Sequence, residues 1–397
     1  MSTTSEQMRA WTGPALFSYG FRPFFLGGAL WAALAMCLWL AALTGALALP
    51  SGFDPASWHA HAFLFGYLGA VIAGFMMTAV PNWTGRMPIV GWALAGLFAL
   101  WFVGRVALLF SQDLPPGLVA AVDLAFPVLF AAAMLREIIA GRNWRNLIIV
   151  GLLAVFILAN AIFHLEGARG FYAAQGYGLR LGTAAALMMI AVIGGRIIPS
   201  FTRNWLAKQN AEKLPVPPMQ RFDKVALLAL MAALVLWVVW PTGAGTAFML
   251  FCVAGLHLFR LSRWCGLATL SAPLVWVLHA AYAFVPLGAL LEAISIVWPE
   301  LLGSAPALHV WLAGAIGLMT LAVMTRATLG HSGRALVVGR GTLALYVMLI
   351  ASVGLRFAAG LWDGAAPLLL SLSALCWIGT FGGFVLLYGP MILRARE

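Results

Sequence analysis

FFLGGALWAALAMCLWLAALTGALAL, running from Phe24 to Leu49, decides the fold. Its 26 residues carry no charge. As a helix rising about 1.5 Å per residue, it is long enough to cross a hydrocarbon core of about 30 Å. It is also too long for the apolar region of a secretory leader, and the polar stretch before it, with Arg9 and Arg22, does not read as one. Eleven further runs of similar character follow, near 60–80, 88–110, 117–138, 146–164, 179–199, 222–241, 244–262, 271–292, 305–326, 341–360 and 366–390. Of the 397 residues, 63% are hydrophobic and 9% charged, against roughly a quarter charged in soluble domains. Lipid is therefore the expected solvent. Backbone polar groups must then be satisfied internally, so helices are the default. The expected fold is all-α: a polytopic membrane bundle of about twelve transmembrane helices, with residues 1–397 as a single transmembrane domain. Its one long connector, about 200–221, holds Pro215, Pro217 and Pro218 and reads as a link rather than a domain.

The net charge of +11 would suggest nucleic acid on a soluble protein, but its placement argues otherwise. Of 23 Lys and Arg, Arg169, Arg180 and Arg356 fall on one side of the twelve spans and Arg105 falls inside the third. The other 19 fall on the side of the termini. The positive-inside rule makes that side the cytoplasm of a bacterial inner membrane, with anionic lipid as the partner and no nucleic acid. Cys37, Cys252, Cys265 and Cys376 form no CxxC pair, so neither a disulfide nor a thiolate zinc site is expected.

An internal repeat runs through the chain. His61, Gly66, Gly69 and Thr84-Gly85-Arg86 recur, at an offset of 248, as His309, Gly314, Gly317 and Ser332-Gly333-Arg334. Pro81 and Thr84 recur more faintly as Pro199 and Thr202. These residues lie on spans two, ten and six, which suggests three units of four helices.

Ionisable side chains inside a membrane are expensive and mark functional candidates. His59, His61, His164 and His309 share one depth, near the ends of their spans away from the termini. His257, His279 and His331 lie toward the other side. Neutral imidazole ligates haem iron and copper, and hydrogen-bonded packing is the bland alternative. Asp54-Pro55 reads as a helix start. His59 and His61 then point about 200° apart, so one of them cannot share the other's site. The repeat favours His61, whereas Gly66 and Gly69 lie nearer the His59 face. His61 and His309 are expected to face each other as ligands of one centre, most simply a haem iron, leaving His59 and His164 for copper; the two assignments are exchangeable. His257 and His279, on adjacent helices, are a second ligand pair. Arg196 and Arg326 could hold haem propionates or another anion, with snorkelling as the alternative.

Several motifs together resemble the NnrS family: Phe21-Arg22-Pro23-Phe24-Phe25, Trp58-His59-Ala60-His61, Ala79-Val80-Pro81-Asn82-Trp83-Thr84-Gly85, Gly194-Gly195-Arg196-Ile197-Ile198-Pro199, Phe201-Thr202-Arg203-Asn204-Trp205, Leu278-His279-Ala280-Ala281-Tyr282, and Met324-Thr325-Arg326 through Gly330-His331-Ser332-Gly333-Arg334. The resemblance implies a twelve-span inner-membrane protein containing haem b and copper. It implies a role in nitric-oxide tolerance, often beside denitrification, by reaction with nitric oxide at a haem–copper centre or by limiting iron-nitrosyl damage. His331 joins His59 and His164 as a candidate for copper or haem iron. The family often carries Glu after the WHAH run, where this chain has Ala62. Twelve helices in three groups of four are also similar to the haem–copper oxidase arrangement, a likeness of fold alone. The competing reading is a secondary transporter exporting an anion or a metal complex without bound haem.

Overall fold

Among the residues described by the computed structural model, 11–86 and 88–394, there is no strand. Twelve helices there are long and apolar enough to cross a membrane: α1 Phe21–Leu43, α2 Pro55–Thr84, α3 Trp92–Leu109, α4 Pro116–Ala140, α5 Trp144–Ala168, α6 Tyr177–Lys208, α7 Arg221–Val239, α8 Ala244–Ser262, α9 Pro273–Val297, α10 Ser304–His331, α11 Arg340–Ala358 and α12 Asp363–Leu393. The chain is a multi-pass membrane protein, and each expected span is present. An even number of crossings brings both ends out on one face, the terminal face.

The two largest departures from the expected boundaries are at the ends of α1 and α6. α1 stops at Leu43 rather than near Leu49, because the chain turns at Gly45 with φ +74, a conformation that carries no Cβ penalty in glycine. The connector expected from residue 200 begins only after Lys208. α6 continues that far because Ile198, Thr202 and Leu206 recur every four residues and bury one stripe. The three prolines occupy what is left of the connector. Arg9 and Arg396 of the charge count lie outside the described residues.

The chain divides into two compact units. The first holds residues through Gly182, Ala327–Arg334 and residues from Phe381 onward; the second holds Thr183–Arg326 and Ala335–Thr380. In the first, Phe24 stacks on Phe126 with ring centres 5.3 Å apart, and Phe126 on Phe130. Arg22 donates to the carbonyls of Ile392 (2.9 Å) and Arg394 (2.6 Å) and so caps the end of α12. In the second, Trp237 packs edge-on against Trp311, whose indole N–H donates to Val285 O at 2.9 Å. Arg22 and Arg260 are 2% and 0% exposed. Neither therefore faces headgroups as the charge count assumed, and 17 of the 19 basic residues remain on the terminal side.

α2, α6 and α10 are the three most buried spans, at 72%, 67% and 78% of their most apolar windows. They are the helices that carry the repeat, and each contains a π-helical stretch: Ala62–Tyr67, Ile190–Gly194 and Val310–Leu318. The first and third begin 248 residues apart, at the offset of the sequence repeat. Aligning Pro81 with Pro199 instead places residue 62 at 180, ten residues before the middle π-helix, so the middle copy matches only loosely. A wider turn loosens the backbone hydrogen-bond ladder, and side chains fill the gaps. Trp31 and Trp101 donate their indole N–H groups to Ala62 O (2.9 Å) and Gly66 O (3.0 Å), and Arg260 donates to Ala191 O (3.0 Å).

Candidate metal centre

The start of α2 sets the site. Asp54 caps it, accepting from the amides of Ala56 (3.0 Å) and Ser57 (2.9 Å), and Pro55 takes the first helical position as the sequence indicates. His59 and His61 therefore diverge. His59 is half-buried against Trp39 and Phe63, with ring centres 4.5 and 4.8 Å away. His61 is fully buried and meets three residues from α4 and α5.

Asp123 is the centre of that meeting. Its Oδ2 lies 2.8 Å from Asn160 Nδ2, 3.0 Å from His164 Nε2 and 3.1 Å from His61 Nε2. Its Oδ1 accepts from Arg105 of α3. His61 Nε2 is also 2.8 Å from Asn160 Oδ1. Asn160 and His164 are four apart and share one face of α5. The donor atoms of His61, Asp123 and His164 all lie within 4.8 Å of one another, and all three residues are buried. His61, Asp123, His164 and Arg105 are four to seven residues from the helix ends opposite the terminal face, roughly 6–10 Å deep at 1.5 Å per residue.

Beside this cluster is a small cavity of about 20 Å³, room for one water or a diatomic molecule. Asp123, Asn160 and Arg105 border it on the polar side, Phe65 and Phe156 on the apolar side, and Gly69 also lines it. Helical phase alone had put Gly69 off the His61 face. The π-helix between them takes up about one extra residue, which turns the following helix back by roughly 100° and brings Gly69 under the cluster.

Two chemistries suit this arrangement. As a hydrogen-bond network it closes: His61 donates to Asn160, Asn160 and His164 donate to Asp123 Oδ2, and Arg105 takes Oδ1. That leaves His61 Nδ1 and Arg105 Nη1 buried without a partner. As a ligand set, two imidazoles and a carboxylate suit a transition-metal ion. A porphyrin does not fit here, because Phe53, Phe65 and Phe163 close around the His61 ring at 6.2, 5.2 and 5.5 Å.

Residues 15–396 match the sequence model of the family described as NnrS protein. The chain belongs to the NnrS family. No curated protein matches it. NnrS membership fits a function related to nitric oxide.

The other candidates of this NnrS chain are placed as follows. His309, the repeat partner of His61, belongs to the second unit, where its Nδ1 bonds Ala305 O of its own helix at 2.7 Å. His257 and His279 hydrogen-bond to different partners. His257 Nε2 bonds Ala226 O at 3.1 Å and must carry the proton, so Nδ1 accepts from the Tyr282 hydroxyl at 2.8 Å. Both of its nitrogens are engaged. His279 Nε2 donates to Thr202 Oγ1 at 2.8 Å, because that hydroxyl already donates to Ile198 O. Its Nδ1 is buried without a partner, packed where Gly266 lacks a side chain. His331 packs edge-on against Tyr19 at 5.3 Å. Arg326 lies 3.9 Å from the centre of the Phe201 ring, a cation–π contact, and Arg196 is half-buried on α6.

Sequence reasoning missed Asp123, Asn160, Asp223 and Glu292. Asp223 of α7 pairs with Arg260 of α8 at 2.8 Å, and Arg260 also donates to Tyr282 at 2.7 Å. Glu292 of α9 accepts from the Trp237 indole at 3.0 Å, and its other oxygen has no partner. The signal was present, since 12 Asp and Glu in 397 residues make any acid inside an apolar span conspicuous.

Proposed function

We propose that this protein is a haem- and copper-binding integral membrane protein that confers tolerance to nitric oxide, by reacting with it or by limiting iron-nitrosyl damage. Family membership supports the link to nitric oxide. The observation that carries a reactive centre is the convergence of His61, His164 and Asp123 beside a cavity of diatomic size. Bound copper would supply a redox-active ion to which a small ligand can coordinate. The chain's own part is to hold that ion in a buried pocket, balance its charge with Asp123, and keep bulk water out with Phe65 and Phe156. Haem enters this reading through the family alone, and with His61 packed as it is, its ligands belong among the remaining histidines. The termini lie in the cytoplasm of a bacterial inner membrane, by the bias of basic residues.

The test is expression in a bacterium stripped of its nitric-oxide-consuming enzymes. Faster nitric-oxide decay at an electrode and recovered growth under a nitric-oxide donor are expected, with a Soret band and copper in the purified protein. A colourless, copper-free protein that gives no protection would overturn the proposal. The irregular turns within α2, α6 and α10 favour a transporter as the second reading, since transporters build their sites at interrupted helices. Colourless protein that still protects cells would point there.

A further inference from the structure

We infer that His61, Asp123 and His164 bind one divalent first-row transition ion, through the two Nε2 atoms and carboxylate Oδ2, with a coordination position left open. This assignment rests on the reading of a metal-containing protein and goes beyond it by naming the ligands. It draws His61 away from haem and joins it to His164.

Three observations carry it. First, the imidazole nitrogens stand 3.0 and 3.1 Å from the same carboxylate oxygen. Ligands about 2.0–2.1 Å from one ion lie roughly 3.0–3.4 Å apart, so two of the three donor spacings already suit one ion, and the third, between the two imidazoles, is within 4.8 Å. Second, the metal-free network divides His61 between two acceptors: its Nε2 lies 2.8 Å from Asn160 Oδ1 and 3.1 Å from Asp123 Oδ2, and a single N–H cannot serve both well. An ion would take the Nε2 atoms of His61 and His164 and leave Asn160 Nδ2 its hydrogen bond to Oδ2. Third, the surroundings are those of a metal site. Arg105 holds the carboxylate's far oxygen and Asn160 its near one, which fixes the ligand's orientation. Three protein ligands leave a position for a small molecule, and the cavity adjoins the cluster at Asp123 and Asn160. Copper leads the affinity order for such donors, and two histidines with one carboxylate also hold iron(II).

The experiment uses the full chain in nanodiscs, stripped with a chelator and reloaded with Cu(II), anaerobic Fe(II) or Zn(II), with bound metal counted by mass spectrometry. About one tightly held ion per chain is expected in at least one arm. It should fall to near zero in His61→Ala and His164→Ala and persist in His59→Ala, whose ring lies outside the cluster. Occupancy by iron or zinc but not copper would support the site while removing copper from the proposed function. Unchanged stoichiometry in both variants, or no ion in any arm, would overturn the assignment. His61→Gln and His164→Gln keep a hydrogen-bond donor if the alanine variants fail to fold. If these also fail, the ion-loaded wild type is examined by pulsed electron paramagnetic resonance with and without ¹⁵N-histidine, using Cu(II), or nitrosyl-treated Fe(II) if iron is the ion held. Coupling to two imidazole nitrogens is expected, and its absence sinks the idea. Where only zinc binds, X-ray absorption should show two histidine ligands, and their absence has the same force.

Discussion

Gly66 and Gly69 lie three residues apart on α2 and should answer differently to the same change. A Cβ on Gly66 would stand 2.6 Å from Arg105 Nη1 and 2.9 Å from Trp31 Nε1, whereas one on Gly69 meets nothing within 4 Å. Gly66→Ala should therefore lower the thermal midpoint, at about 1–3 kcal/mol of overpacking. Gly69→Ala should hold or raise it, since alanine is favoured over glycine in a helix by about 1 kcal/mol, while narrowing the cavity. Thermal unfolding in one detergent checks both, and shifts of the same sign would contradict the packing described. Asp123 and Arg105 give a second contrast. Asp123→Leu leaves a buried guanidinium without its counter-charge, which should cost about 3–5 kcal/mol. Adding Arg105→Met removes that charge and should recover most of the loss. A double variant no more stable than the single would mean that the pair is not what holds these helices.

At the scale of the helix, the π-helices explain what could and could not be read in advance. Crossing helices are legible because apolar length is a property of composition, and all twelve were. The cap at Asp54-Pro55 is legible because its chemistry is local. A π-helix has no composition of its own. It shifts every later residue by about one position in phase, so helical phase alone places Gly69 nearer the His59 side, whereas it lines the cavity beside Asp123 and Asn160. His164 was recognised because histidine is rare in lipid. Asp123 is less legible, because its partners lie 18 to 62 positions away in sequence. The extension of α6 was masked by Pro199, which lies within the helix without ending it. Trp31 and Trp101 tie the π-helix of α2 to its neighbours, so they are the means to test it. Trp31→Phe removes the donor to Ala62 O and should cost about 1–3 kcal/mol for a buried carbonyl left unpaired. Because Ala62 follows His61, the change should also loosen the imidazole. Imidazole ¹⁵N chemical shifts assigned to His61 would report it, and an unmoved signal with an unmoved midpoint would show that the indole contact is incidental.

Over the whole molecule, sidedness is the property that the fold leaves to charge. Twelve crossings bring both ends out on one face, but helices alone do not say which compartment that face meets. The bias of basic residues is the ground on which the cytoplasm is proposed. It survives the removal of Arg22 and Arg260, which spend their hydrogen bonds on α12 carbonyls and on Asp223, Tyr282 and Ala191. What remains is 17 against Arg169, Arg180 and Arg356, and a single miscounted span would scramble that sorting for every later loop. Reporter fusions should therefore place Asn143 and Gln209 in the cytoplasm and Gly303 in the periplasm. Gln209 is the most informative of the three. It follows immediately on α6, which runs past the end its apolar stretch suggests, and precedes the proline-rich connector. Phosphatase activity from a fusion there, with none from Gly303, would invert the molecule and move the His61–Asp123–His164 cluster from the periplasmic to the cytoplasmic third of the membrane. The expected pattern instead puts that cluster roughly 6–10 Å beneath the periplasmic surface, within reach of a small uncharged molecule arriving from outside the cell.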